Sequence, residues 1–146
     1  MQRTALCAAA EAQRWADPGG RRLVNTHRRI RLALLIWVLG TVVVSLVPST
    51  GVSFWNVDKI GHFLAYAGLA VLICLNFDGT KARLGALVGA VALGALLEWA
   101  QSYVPGRDMS LLDETANALG VLTGAVVFRL READLRRWAT ALADRW

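Results

Sequence analysis

The sequence predicts an all-α fold, a four-helix transmembrane bundle with both termini cytoplasmic and a short amphipathic helix at the C-terminal end. Three observations carry that prediction. Of the 146 residues, 55% are hydrophobic and the mean hydropathy is +0.42, more apolar than an ordinary soluble domain. Four apolar runs near membrane-spanning length are separated by short polar stretches. Lys and Arg gather in the stretches on one side of those runs. The chain therefore divides into a basic cytoplasmic tail over 1–31, a four-helix membrane domain over 32–130 and an amphipathic cytoplasmic segment over 131–146.

The tail contains Arg3, Arg14, Arg21, Arg22, Arg28, Arg29 and Arg31, broken by Asp17-Pro18-Gly19-Gly20, and reads as weakly structured. It is long for the leader of a secretory signal, and no small-x-small cleavage pattern follows the first apolar run. That run, Leu32 to Val47, is uncharged and short for a span; Ile30 and a snorkelling Arg31 extend it. Pro48-Ser49-Thr50-Gly51 ends it.

The second run, Ile60 to Phe77, follows Asn56-Val57-Asp58-Lys59, with Asn56 as the expected N-cap. After the turn Asp78-Gly79-Thr80-Lys81 comes the third run, Leu84 to Ala100, whose Gly85-x-x-x-Gly89 is expected to admit a close neighbour and whose single charge is Glu98. The fourth, Leu111 to Leu130, carries Gly120-x-x-x-Gly124 and follows the Pro105-Gly106 turn. Short connections favour antiparallel neighbours in an up-and-down bundle. Beyond it, Leu135, Trp138, Ala139, Leu142 and Trp146 recur at helical spacing opposite Arg136, Arg137 and Arg145, a pattern suited to a membrane surface. The tail, the Asp78 to Arg83 loop and the segment from Arg129 together hold fourteen of the sixteen Lys and Arg, and the other two connections hold only Lys59 and Arg107. This positive-inside bias turns the polar ends of helices two, three and four outward.

Those outward ends carry the candidate site. On helix two, Asp58, Lys59, His62 and Tyr66 share one side; on helix three, Gly94, Glu98 and Gln101 form a stripe; on helix four, Asp113 and Asn117 line up with Gly120 and Gly124. Ionisable groups at membrane depth are costly and need partners, water or a function. Lys59 and Arg107 stand against the positive-inside trend beside two helix N-termini, a setting that suits an anion such as phosphate or carboxylate. Against those two cations, Asp58, Glu98, Asp108, Asp113 and Glu114 bring the local sum to about minus three, which also admits a cation or metal. The candidate proton-transfer groups are His62, Glu98 and Asp113; the candidate ligand-binding groups are Asp58, Lys59, Gln101, Arg107 and Asn117. Simpler readings stand beside these. Ser110-x-x-Asp113 matches a capping box, Asn117 suits a hydrogen bond across the bundle, His62 suits helix packing, and Glu98 suits a pair with Arg107 or Lys59. Trp55, Trp99 and Tyr103 fit an interfacial belt.

Asp58-Lys59-x-x-His62-x-x-x-Tyr66, Glu98-x-x-Gln101 with Pro105-Gly106-Arg107, and Asp113-x-x-x-Asn117-x-x-Gly120-x-x-x-Gly124 resemble the VanZ-like family of small bacterial integral membrane proteins. The resemblance covers roughly Leu32 to Leu130. It implies a multi-pass protein of the bacterial cytoplasmic membrane, whose family namesake is linked to resistance to glycopeptide antibiotics of the teicoplanin type. Those drugs act on wall precursors outside the membrane, in keeping with an outward site.

The leading expectation is a pocket that binds or modifies an anionic envelope lipid or wall-precursor head group, with membrane lipids as its surroundings. The alternatives are a small ion- or proton-coupled transporter and a structural or regulatory membrane partner. Cys7 and Cys74 give no disulfide framework or zinc spacing, and the basic blocks lack the interleaved aromatics that suit nucleic acid. There is no nucleophile elbow, phosphate-binding glycine loop, dinucleotide fingerprint or metalloprotease helix, so no cofactor and no metal site is assigned.

Overall fold

The computed structural model describes residues 18–48, 55–143 and 145, with side chains over 25–48, 58–143 and at 145. The tail before Pro18 with its Cys7, residues 49–54, the side chains of Trp55 and Asn56, and Trp146 lie outside what is described. Among the described residues four helices follow in order: α1 Pro18–Leu46, α2 Trp55–Asn76, α3 Thr80–Gln101 and α4 Leu111–Ala143. All four are long and apolar enough to cross a membrane, and no strand occurs among the described residues. This is a multi-pass membrane protein. Leu35, Ile36, Leu64, Val88, Leu96 and Leu122 are exposed around its girth, where lipid rather than water meets them.

Two boundaries differ from the sequence expectation. The first helix starts at Pro18, so the second half of the tail is helical; Pro suits a first helical turn, and the Arg-rich stretch is polar yet a good helix former, which hydropathy does not register. The second helix starts at Trp55, so Asn56 lies inside its first turn rather than at the cap.

The closest packing is between α2 and α4, which run parallel. A Cβ at Gly120 would run into the Phe63 carbonyl, and one at Gly124 into the Ala67 carbonyl, so these glycines let two backbones touch. Such contact replaces the hydrophobic drive that lipid does not supply. Gly85-x-x-x-Gly89 does not do this: both glycines are exposed with nothing near, correcting the expectation of a close neighbour there. On α3 it is Gly94 that is buried.

Helix α1 is the least buried of the four and is stitched on by polar bonds. Trp37 lays its indole over Gly68 and donates from Nε1 to the Ala65 carbonyl at 2.9 Å. Asn76 Nδ2 donates to the Ile30 carbonyl at 3.2 Å, and Gln101 Nε2 to the Ser45 carbonyl at 3.0 Å. At the opposite end from Gln101, Gly79 takes φ 102 where the chain turns into α3. There Arg136 bridges Asp78 at 3.2 Å and Glu132 at 3.0 Å, while Arg83 and Arg136 both lie over the Phe128 ring. Helix α4 departs from helical geometry at Arg131 (φ −123, ψ 22) and continues to Ala143. The bend falls at the expected start of the amphipathic segment. Leu135 and Ala139 pack against the core cluster and Trp138 stays exposed.

Candidate functional site

The parallel contact of α2 with α4 sets up a ladder between their first turns. Gly120 on Phe63 and Gly124 on Ala67 fix the register. One turn nearer the helix starts, Asn117 must then face His62, and another turn back Asp113 must face Lys59. The His62 Nδ1 lies 3.0 Å from Asn117 Oδ1, and Lys59 Nζ lies 3.0 Å from Asp113 Oδ1. Asp113 and Asn117 are buried, and Lys59 keeps 25% of its side chain exposed.

Helix α3 adds the third wall. Its last turns bury Gly94, Glu98 and Gln101. A Cβ at Gly94 would crowd Glu114 Oε2, Asn117 Nδ2 and the Tyr66 hydroxyl, so this glycine leaves room for the polar side chains of α2 and α4. Glu98 is only 3% exposed. Its Oε2 accepts from the Ser110 backbone N–H at 3.1 Å, and its Oε1 lies 3.7 Å from His62 Nδ1. Asp58, nearly half exposed, brings Oδ1 to 3.9 Å from His62 Nε2.

These contacts decide between readings that the sequence left side by side. The capping box forms only in part: Ser110 Oγ accepts from the Asp113 N–H at 3.3 Å, but the Ser110 N–H goes to Glu98 instead of returning to Asp113. The Asp113 carboxylate is thereby left to Lys59. Glu98 pairs with neither Arg107 nor Lys59 but faces His62.

The hydrogen bonds also orient the imidazole. Glu114 Oε2, a carboxylate oxygen, accepts from Asn117 Nδ2 at 3.1 Å, which leaves Asn117 Oδ1 as the atom facing His62. An amide oxygen only accepts, so the proton of a neutral His62 sits on Nδ1 and the Nε2 lone pair faces Asp58. Glu114, outside the expected site residues, belongs to this network, and the Tyr66 hydroxyl lies beside it at Gly94 without bonding into it. Their signal was positional: Glu114 lies three residues before Asn117, and Tyr66 four after His62.

Among the described residues, two buried side-chain atoms have no hydrogen-bond partner, the Tyr66 hydroxyl and Glu98 Oε1. Tyr66 is 1% exposed. Unsatisfied buried polar atoms are rare and mark a place for water, an ion or a reacting group.

The structure does not bring Gln101 and Arg107 into this cluster. Gln101 spends its amide on the Ser45 carbonyl. The chain reverses at Val104-Pro105-Gly106-Arg107, where the Arg107 N–H bonds the Val104 carbonyl at 3.1 Å and Gly106 takes φ 76, the pattern of a type II turn. That turn points Arg107 at the end of α1, with Nε 2.9 Å from the Val47 carbonyl and Nη2 3.2 Å from the Val44 carbonyl. It satisfies open carbonyls and complements the negative end of the helix dipole. Trp99 and Tyr103 meet edge to face at 5.3 Å nearby, both exposed.

The assembled site is thus His62 between Asp58, Glu98 and Asn117, with the Lys59–Asp113 pair beside it, and it can hold a charged group or pass a proton. No family model, curated protein or solved structure matches the chain.

Proposed function

We propose that this chain is a VanZ-like protein of the bacterial cytoplasmic membrane whose polar end faces outward. There it binds, and is equipped to modify, the head group of an anionic envelope lipid or wall precursor. The observation that carries the reading is the held imidazole: His62 lies 3.0 Å from Asn117 Oδ1 with carboxylates toward both ring nitrogens, at 3.7 Å from Glu98 and 3.9 Å from Asp58. A histidine so held, at the mouth of a membrane bundle, suits proton transfer to or from a bound group. Lys59, partly exposed at the start of α2, supplies the anion contact, aided by the positive ends of α2 and α4. Asn117 and Glu114 orient His62. Arg107 takes no anion role in this reading, because its guanidinium is used on α1.

The test is native mass spectrometry of gently extracted protein. Wild type should retain an anionic envelope lipid that Lys59→Met and His62→Gln lose while remaining folded. Equal retention by all three overturns the head-group reading.

A second reading, a small proton- or ion-coupled transporter, is favoured by one observation. The unsatisfied Glu98 Oε1 and Tyr66 hydroxyl extend polar atoms inward from His62, Tyr66 one helical turn deeper along α2. Charge movement in proteoliposomes that Glu98→Gln abolishes would establish it.

A further inference from the structure

We propose that Asp58, His62 and Asp113 form a binding site for a divalent metal ion of the zinc or manganese kind. One ligand atom from each of the three lies within 4.8 Å of the other two. An ion held at about 2.0–2.2 Å from oxygen and nitrogen donors in a tetrahedron sets them roughly 3.3–3.6 Å apart, so the triangle needs a contraction of up to about 1.4 Å. The exposed Asp58 side chain is free to make it. Two carboxylates with one imidazole suit zinc or manganese; thiolate-seeking copper(I) and all-oxygen calcium sites call for other donors.

The surroundings fit a metal in a way that chance acidic clusters do not. A metal-bound histidine presents one nitrogen's lone pair and donates the other N–H to a carbonyl or carboxylate, which fixes the ring. His62 is already so arranged: Nδ1 faces Asn117 Oδ1 at 3.0 Å, Asn117 is held by Glu114 at 3.1 Å, and Nε2 faces Asp58. An independent pointer comes from α3. Glu98 is more than nine-tenths buried, and its Oε1, which lies 3.7 Å from His62 Nδ1, has no hydrogen-bond partner. A water on the bound ion would give that oxygen a donor.

Lys59 is the competitor. Its ammonium sits on Asp113 Oδ1 at 3.0 Å and supplies the positive charge that the ion would bring. Being one-quarter exposed, it can swing aside, and Asp113 offers a second oxygen. With the ion in place the two aspartates are neutralised and Lys59 is released towards the same mouth. The cluster, which otherwise carries more carboxylates than cations, then becomes receptive to a phosphate oxygen as a further ligand. The metal site rests on donor geometry alone and not on the head-group reading.

The full chain, purified in a maltoside detergent and stripped with a chelator, is titrated with Mn2+ by electron paramagnetic resonance and with Zn2+ by calorimetry, with no phosphate-bearing lipid added. One site is expected. Asp58→Asn, at an exposed position that does not threaten the fold, and His62→Gln should each weaken binding at least tenfold. Lys59→Met should tighten it, and Asp134→Asn at the far end should leave it unchanged. Should His62→Gln fail to fold, Asp58→Asn decides alone. Wild-type affinity in folded Asp58→Asn, or no binding by wild type above the stripped detergent blank, overturns the site. Because lipid is left out, either result stands whatever the lipid experiment finds.

Discussion

Glu98 Oε2 accepts the Ser110 backbone N–H at 3.1 Å, so a carboxylate from the third helix takes the capping position that the sequence reserves for Asp113 on the fourth. This one exchange shapes the site: it anchors the start of α4, buries Glu98 beside His62, and leaves Asp113 for Lys59.

Glu98→Ala should therefore loosen the first turn of α4. An N-cap acceptor is worth about 1 kcal/mol. Faster amide exchange at Ser110 and a loss of stability of that order are expected, whereas Glu98→Gln, whose side-chain oxygen still accepts, keeps most of the protection. Equal exchange in the alanine and glutamine variants would show that the cap does not matter.

The two glycine pairs predict opposite outcomes. A methyl at Gly120 meets the Phe63 carbonyl and must push α2 and α4 apart, so Gly120→Ala should cost about 1–3 kcal/mol and disturb His62 with it. Gly89→Ala meets nothing and removes a helix-weakening residue, so it should be neutral or stabilising by up to about 1 kcal/mol. Thermal unfolding in detergent distinguishes the two directly.

Much of this fold was legible in the chain and some of the site was not, for definite reasons. Four apolar runs and the Lys and Arg distribution outline four spans. Shared helix faces gather Asp58, His62, Glu98, Asp113 and Asn117 from spacing alone. Gly85-x-x-x-Gly89 and Gly120-x-x-x-Gly124 read alike because the motif says a backbone can be approached, not which neighbour arrives. Arg107 and Gln101 read as site residues because side chains are visible in a sequence and open backbone carbonyls are not. Their partners, at Val44, Val47 and Ser45, are main-chain oxygens at the end of α1.

That assignment is itself testable. Arg107→Ala and Gln101→Ala should free the end of α1 while leaving the His62 network in place. Spin labels at Leu46 and Val104 should report a broader distance distribution in both variants, whereas Zn2+ and lipid binding stay within about threefold of wild type, under 1 kcal/mol. An unchanged distribution would contradict the role given to both residues.

Lys59 and Asp113 should be coupled. Lys59→Met leaves a buried carboxylate without its cation, and Asp113→Leu leaves a lysine with the means to reach solvent, so the first should destabilise more. The double variant should recover much of the loss, with a coupling of about 1–3 kcal/mol in a double-mutant cycle. Strict additivity would mean that the pair is incidental.

The central claim is that a lipid head group enters the cluster around His62. It is tested most directly by photo-crosslinking in membranes, using a phosphate-bearing lipid with a diazirine in its head group and mapping the adducts by peptide mass spectrometry. Adducts concentrated over 58–62 and 110–114 that disappear in Lys59→Met are expected. Adducts spread evenly along the exposed faces at Leu39, Leu64 and Leu122, and unchanged in that variant, would contradict it.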